Sequence, residues 1–253
     1  MKEFDVEIPC ADGAMPAFVS VPEDVESCPG VVVYMDVFGP REEFYDICRH
    51  FTACGYAAIL PQLFYRLGSP VFVPANRRSD VVDPLAQEAN AATTIDMTMR
   101  DVTAIVAFLD HGGVGIPVGR LGTIGYCMGG RHALAAAVAA PQAIAAAVSA
   151  HGGRLVTDGA DSPHLFLERI QVQTYLAFAY DDETCPETHQ QLLERTAAAA
   201  GSHIRCERLA AHHGWSFVER WCFDRKASDR VWEHSLQMFR RTLWTPHEPV
   251  MRG

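Results

Sequence analysis

Cys127 lies in the run Gly125-Tyr126-Cys127-Met128-Gly129-Gly130. A short apolar stretch, Leu121 to Ile124, precedes it, and an alanine-rich segment, Ala133 to Ala140, follows. Strand, tight turn and helix are the context that a G-x-[S/C]-x-G nucleophile turn needs. Glycines on either side let strand and helix approach closely and leave the central side chain exposed above the sheet. Here that side chain is a thiol. The chain has eight cysteines, and the other seven (Cys10, Cys28, Cys48, Cys54, Cys185, Cys206 and Cys222) lack this setting. They form no C-x-x-C pair and no zinc-spaced cluster, so they read as reduced, mostly buried thiols of a cytoplasmic protein.

A thiol near its free pKa is mostly protonated at neutral pH, so a nucleophilic Cys127 needs a base or an electropositive surrounding. Histidine can take the proton and return it to a leaving group. A carboxylate behind it fixes the tautomer and stabilises the imidazolium. Candidates stand at the ends of apolar runs: Asp36, then Asp181 and Asp182, then His212 and His213. The order nucleophile, acid, histidine is that of α/β-hydrolases. Adjacency alone does not choose between Asp181 and Asp182 or between His212 and His213. His151, at another run's end, reads as a satisfied loop histidine, and Trp215 and Phe217 suit a pocket wall or the core equally well.

The elements that must position these residues follow from periodicity. Residues 4–8 and 16–21 alternate around the turn signal Ala11-Asp12-Gly13, predicting an antiparallel hairpin at a sheet edge. Gly30–Met35 and Tyr56–Leu60 are continuous apolar runs, marks of strands buried on both faces. Between them Pro40, Glu42 and Glu43 open a helix with Phe44, Ile47, Cys48 and Phe51 on one face, stopped by Gly55. Residues 62–95 show no clear periodicity and predict a long irregular loop, a lid or a surface excursion, carrying Arg77 and Arg78. Val102, Ile105, Val106 and Leu109 mark a helix stopped at Gly112-Gly113. Further strands are expected at 144–148, 172–179 and 203–209. Thr184-Cys185-Pro186-Glu187 has the capping-box pattern, placing a helix start there. Trp232, Leu236, Phe239 and Leu243 line a final helix, and residues 245–253 read as a loose tail. Alternating strands and helices without a composition break imply a single α/β domain over residues 1–253, with a mostly parallel sheet sandwiched between helices.

Composition bounds the partners. The chain of 253 residues is 49% hydrophobic and 21% charged, with net charge −10 and pI about 5.5. Nucleic acid and anionic membrane are not expected partners of such an acidic chain. The alanine-rich tract ends at Pro141, too short to span a bilayer. No metal or organic cofactor is implied, and a monomer or small homo-oligomer is expected.

The turn Gly125–Gly130, an Asp four residues before Pro186, and His213-Gly214-Trp215-Ser216-Phe217 together resemble the dienelactone hydrolase (carboxymethylenebutenolidase) family. The likeness runs from about Pro29 to Leu243 and implies an α/β-hydrolase fold and hydrolysis of a small-molecule ester or lactone. It implies Cys127 as nucleophile, Asp182 as acid, His213 as base, and the amides of Met128 and Val37 as an oxyanion hole. Asp36 stands where founding members carry a glutamate that modulates the thiol. The family's substrate-carboxylate arginines have no clear counterpart. Phe217 occupies the place of one, with Arg220 nearest, and Arg77 or Arg78 could stand in for the other. Trp215 could add a substrate contact. The alternatives are a broader carboxylesterase or thioesterase on linear substrates, and a catalytically silent member that binds a ligand or responds to oxidation at Cys127.

Overall fold

The apolar runs become strands, and the computed structural model describes residues 1–244. The strands are β1 Lys2–Cys10, β2 Gly13–Val21, β3 Cys28–Tyr34, β4 Ala57–Pro61, β5 Val118–Tyr126, β6 Ile144–Ala150, β7 Gln173–Asp181 and β8 Ile204–His212. They form one sheet in the order β1-β2-β4-β3-β5-β6-β7-β8. β1 and β2 pair antiparallel, as do β2 and β4, and every other neighbouring pair is parallel. The expected hairpin is therefore the edge of a mostly parallel α/β-hydrolase sheet. β3 is buried at every residue, as its continuous apolar run requires.

The helices are α1 Glu42–Ala53, α2 Pro84–Ala92, α3 Ile95–Asp110, α4 Met128–Ala139, α5 Pro163–Phe166, α6 Glu187–Ala200 and α7 Arg225–Leu243. Neighbouring residues of β5 show the two faces they cover. A side chain at Gly122 would strike Phe239 and Leu243 of α7, whereas the Thr123 hydroxyl bonds Ala133 O of α4 at 3.0 Å. α1 joins α7 on the first face through Phe51 and Trp232, whose rings lie 4.6 Å apart.

Two expectations are corrected. Residues 62–95 are not wholly irregular: they hold a 3₁₀ turn at Tyr65–Leu67 and the whole of α2. The signal for α2 was present, because Asp83 caps it by accepting the Leu85 N–H at 2.9 Å and Pro84 sits in its first turn. Nor is Thr184 a helix cap. α6 begins after Pro186 with no side-chain cap, and the Thr184 hydroxyl bonds Asp182 Oδ1 at 2.7 Å instead. A nearby buried carboxylate outcompeted the helix amides for that hydroxyl. The tail expected at 245–253 lies outside the described residues.

α4 meets the sheet at the shortest range the backbone permits. A β-carbon at Gly129 would overlap the carbonyl oxygen of Tyr34 at the end of β3, and one at Gly125 would overlap that of Gly129. Backbone cannot step aside as a side-chain tip can. Gly129→Ala should therefore lower stability by about 1–3 kcal/mol, the usual cost of overpacking, as read by urea denaturation of the two proteins.

Candidate active site

Cys127 is the single residue between β5 and α4, and its backbone sits at φ 53°, ψ −115°. A non-glycine residue there carries strain on the order of 1–3 kcal/mol unless its surroundings impose the conformation. Here both peptide groups are tied down. The Cys127 N–H is shared between Ala150 O at 3.1 Å and His151 Nδ1 at 3.2 Å. The Cys127 carbonyl accepts from Gly130 N at 3.1 Å and Gly153 N at 2.9 Å. The end of β6 and the loop after it thus hold the turn in shape.

The two adjacent candidate pairs are sorted by the pleat. β7 and β8 run parallel with Asp181 opposite His212. Successive residues point to opposite faces, so each aspartate meets one histidine. His212 Nδ1 lies 2.8 Å from Asp181 Oδ2, with side chains 41% and 53% exposed. His213 Nδ1 lies 2.7 Å from Asp182 Oδ2, with side chains only 19% and 1% exposed. The other oxygen of Asp182 accepts from Thr184 N at 2.8 Å, Thr184 Oγ1 at 2.7 Å and Cys185 N at 3.1 Å. His213 Nε2 is buried and has no regular hydrogen-bond partner.

The electrostatics separate two neighbouring histidines whose ring centroids are 5.2 Å apart. Burial alone would lower the His213 pKa, but the charge of Cys127, then the charge and hydrogen bond of Asp182, outweigh it and hold the pKa well above 6.5. Asp182 follows the same logic in reverse: burial opposes its charge, yet His213 and the Thr184 bonds hold its carboxyl below 3.8. His151 is fully buried, and desolvation, then the charges of His213 and Arg220, push its pKa well below 6.5. A backbone N–H can only donate, so His151 Nδ1 carries a lone pair and Nε2 the proton, which goes to Ser216 Oγ at 3.0 Å. Sequence placed His151 as a satisfied loop residue; satisfied it is, but one of its partners is the Cys127 amide.

Met128 opens α4, so its amide has no carbonyl one turn earlier to bond. Val37 lies just beyond β3, in a turn whose internal bonds use the neighbouring amides: Phe38 N to Asp36 Oδ1 at 2.9 Å and Gly39 N to Asp36 O at 3.3 Å. The close seat of Gly129 on Tyr34 and Met35 brings this turn alongside the start of α4.

Asp36 does not take the position expected of it. Its carboxylate is gripped by Arg41, Oδ1 to Nη1 at 2.8 Å and Oδ2 to Nη2 at 2.9 Å, and is 1% exposed. Arg41 also binds Glu219 and stacks on Phe217 at 4.8 Å and Phe44 at 5.0 Å. Both oxygens of the short carboxylate are thereby paired with Arg41, and no hydrogen bond joins Asp36 to Cys127 among the described residues. Arg77 is exposed. Arg78 is 72% exposed, 3.7 Å from Asp181 and 5.4 Å from the Trp221 ring, with the outward-facing pair. Trp215 is fully buried, its ring 4.7 Å from that of His151, and belongs to the packing behind the site. Arg220 is closer: its Cζ lies 4.9 Å from the Phe38 ring, and its Nε is buried without a partner. Among the described residues no cluster of His, Cys, Asp and Glu is placed to hold a metal, and no helix is long and apolar enough to cross a membrane.

The model of the dienelactone hydrolase family matches residues 15–243. The chain belongs to the dienelactone hydrolase family. A Salmonella typhi protein provisionally named carboxymethylenebutenolidase is 32% identical over 240 residues, 92% of this chain and 84% of its own length. A Methylorubrum extorquens protein with the same provisional name is 34% identical over 154 residues, and the match spans 61% of this chain and 50% of that relative. In fold, the chain is similar to a Klebsiella pneumoniae protein provisionally described as a dienelactone hydrolase, at TM-score 0.82 and 22% identity, over 94% of this chain and 98% of that one.

In this family member the two neighbouring rings should titrate apart. At pH 6.5, nitrogen-detected NMR should find His213 charged and His151 neutral with its proton on Nε2. The His213 pKa should fall in Cys127→Ala, which removes the leading charge that holds its proton. Two rings titrating together near the ordinary histidine value would refute this account of the site.

Proposed function

We propose that the chain is a cysteine-dependent hydrolase of ester or lactone bonds, working through an acyl-thioester on Cys127. One arrangement supports the reading: a strained turn presents Cys127, whose charge raises the pKa of the half-buried His213, and the Nδ1 of that ring is 2.7 Å from the buried Asp182 carboxylate. A structural thiol needs neither the strain nor the partners.

In this reading the thiol proton already rests on His213, and the thiolate sulfur attacks the carbonyl carbon. The Met128 and Val37 amides donate to the resulting oxyanion, and each such donor is worth on the order of 2.7–4 kcal/mol at the transition state. When the intermediate collapses, the carbon–oxygen bond breaks and the departing alkoxide takes the proton from His213. In a lactone that alkoxide stays tethered to the acyl group. His213 then removes a proton from water, the hydroxide attacks the thioester, and the acid leaves as the Cys127 sulfur recovers its electron pair. Asp182 holds the tautomer and supports the imidazolium throughout. Asp36 keeps Arg41 and the oxyanion turn in place rather than modulating the thiol. The free cysteines suit a reducing, cytoplasmic setting.

The test is intact-mass spectrometry after mixing with a panel of lactones, linear esters and thioesters, alongside steady-state rates. The expected result is an acyl adduct on the wild type, absent in Cys127→Ala, with lactone turnover. Asp182→Asn should lower kcat by about 10⁴-fold, as loss of the orienting carboxylate does in other triads. Turnover confined to linear thioesters would favour the broader esterase reading, and an adduct on a different cysteine would sink the mechanism.

A further inference from the structure

Cys127 and His151 stand side by side, each one residue beyond the paired strand ends Tyr126 and Ala150. Both have positive φ without being glycine, Cys127 at 53° and His151 at 39°. The strain at Cys127 comes with the turn that exposes its sulfur. At position 151 a glycine or an asparagine would hold the same backbone at less cost. A strained histidine there calls for a task that its side chain performs.

The ring is fully buried among aromatic neighbours. Its centroid lies 4.7 Å from Trp215, 5.9 Å from Tyr126 and 5.9 Å from Phe217. A phenyl ring would be cheaper to bury in such a wall than an imidazole, whose nitrogens need partners. Both nitrogens have them, and they belong to different halves of the site. Nδ1 accepts the Cys127 N–H at 3.2 Å, and Nε2 donates to Ser216 Oγ at 3.0 Å. Ser216 is three residues beyond His213 on the same segment. The charges that face the ring are those of His213, 5.2 Å away, and of Arg220. Both disfavour a second proton, so the ring keeps the lone pair that the Cys127 amide uses.

The turn does not need this ring in order to form. The Cys127 N–H also reaches Ala150 O at 3.1 Å, and the Cys127 carbonyl is held by Gly130 N and Gly153 N. What the ring adds is a two-ended link from the turn to the segment that begins at His213. The rest of that segment is anchored elsewhere: His213 N bonds Asp181 O at 3.1 Å, and Glu219 N bonds Glu43 Oε1 at 2.9 Å. Those anchors lie on β7 and α1, and neither refers the segment to Cys127.

We propose that His151 is a positioning residue for the Cys127–His213 pair: bonded to the Cys127 amide at one nitrogen and to Ser216 at the other, it fixes the spacing between the turn and the segment that carries His213. The thiol and the imidazole are thereby kept in register to share a proton. The effect on turnover rests on the hydrolase reading; the effect on the thiol does not.

The first measurement therefore uses no substrate. The rate of Cys127 alkylation by iodoacetamide, resolved from the other cysteines by peptide mass spectrometry, is followed as a function of pH. His151→Phe keeps the ring volume and removes both bonds. Ser216→Ala removes one bond from a half-buried position. His151→Asn keeps an acceptor near the place of Nδ1 and falls short of Ser216. In His151→Phe the alkylation midpoint should rise by about one pH unit, about the tenfold effect of one lost hydrogen bond. Ser216→Ala should raise it too, and should add nothing in the His151→Phe background, because the two side chains act through one link. His151→Asn should match Ser216→Ala. A midpoint that stays at the wild-type value in either His151→Phe or Ser216→Ala, whatever the loss of stability in urea, makes the ring structural and overturns the proposal. Additive shifts in the double variant, or a match of His151→Asn to His151→Phe, would overturn it as well. If His151→Phe does not fold, Ser216→Ala decides alone. With an ester that the wild type turns over, His151→Phe should lower kcat by about tenfold and change KM by less than about threefold, since the ring positions the pair and holds no substrate. A raised KM at constant kcat would contradict this. If the wild type hydrolyses no ester, the hydrolase reading fails and the alkylation result stands.

Discussion

α4 can begin where it does because Gly125 and Gly129 carry no side chains. Their absence lets the first turn of the helix rest on the carbonyl ends of β3, within a distance no β-carbon would tolerate. Everything at the site depends on that contact. It sets the Cys127 backbone in a left-handed region, lifts the sulfur out of the sheet, and puts the Met128 amide beside the turn that holds Val37. The cost of the strained residue is met by ordinary hydrogen bonds to both of its peptide groups, supplied by β6 and the loop behind it.

Charge is then distributed by burial and pairing, not by residue type. His151 and His213 are neighbours with the same side chain and opposite states. His213 has a carboxylate at one nitrogen and a thiol's charge near the other, so its proton is retained. His151 has a backbone amide at one nitrogen and a serine at the other, deep in an aromatic wall, so it stays neutral. A neutral ring can accept from the Cys127 amide; a charged one could not. Asp36 and Arg41 show the same pairing at the β3 end, where both oxygens of a buried carboxylate meet one guanidinium.

Much of this was legible in order along the chain. The apolar runs, their lengths and the glycines between them predict the sheet and its helices, because a strand buried on both faces needs an unbroken apolar run. α2 was missed because its apolar face is mostly alanine and its caps, Asp83 and Pro84, sit inside a loop-like composition. Thr184 was misread because a capping box is a local pattern, and a hydroxyl goes to whichever acceptor is nearest in space.

The sequence by itself determined the strained turn, since glycine placement around Cys127 is a local property of the chain, and the order of thiol, acid and histidine that names the fold. Tertiary structure decided which of two adjacent aspartates and histidines meet in the inward-facing pair, because the pleat and the β7–β8 register assign each neighbour to a face. It also decided that Asp36 answers to Arg41, that His151 holds the Cys127 amide, and that Arg131 keeps one donor unspent. Those partners come from distant parts of the chain or from side-chain directions within a turn, and no spacing along the sequence encodes who wins a contested hydrogen bond.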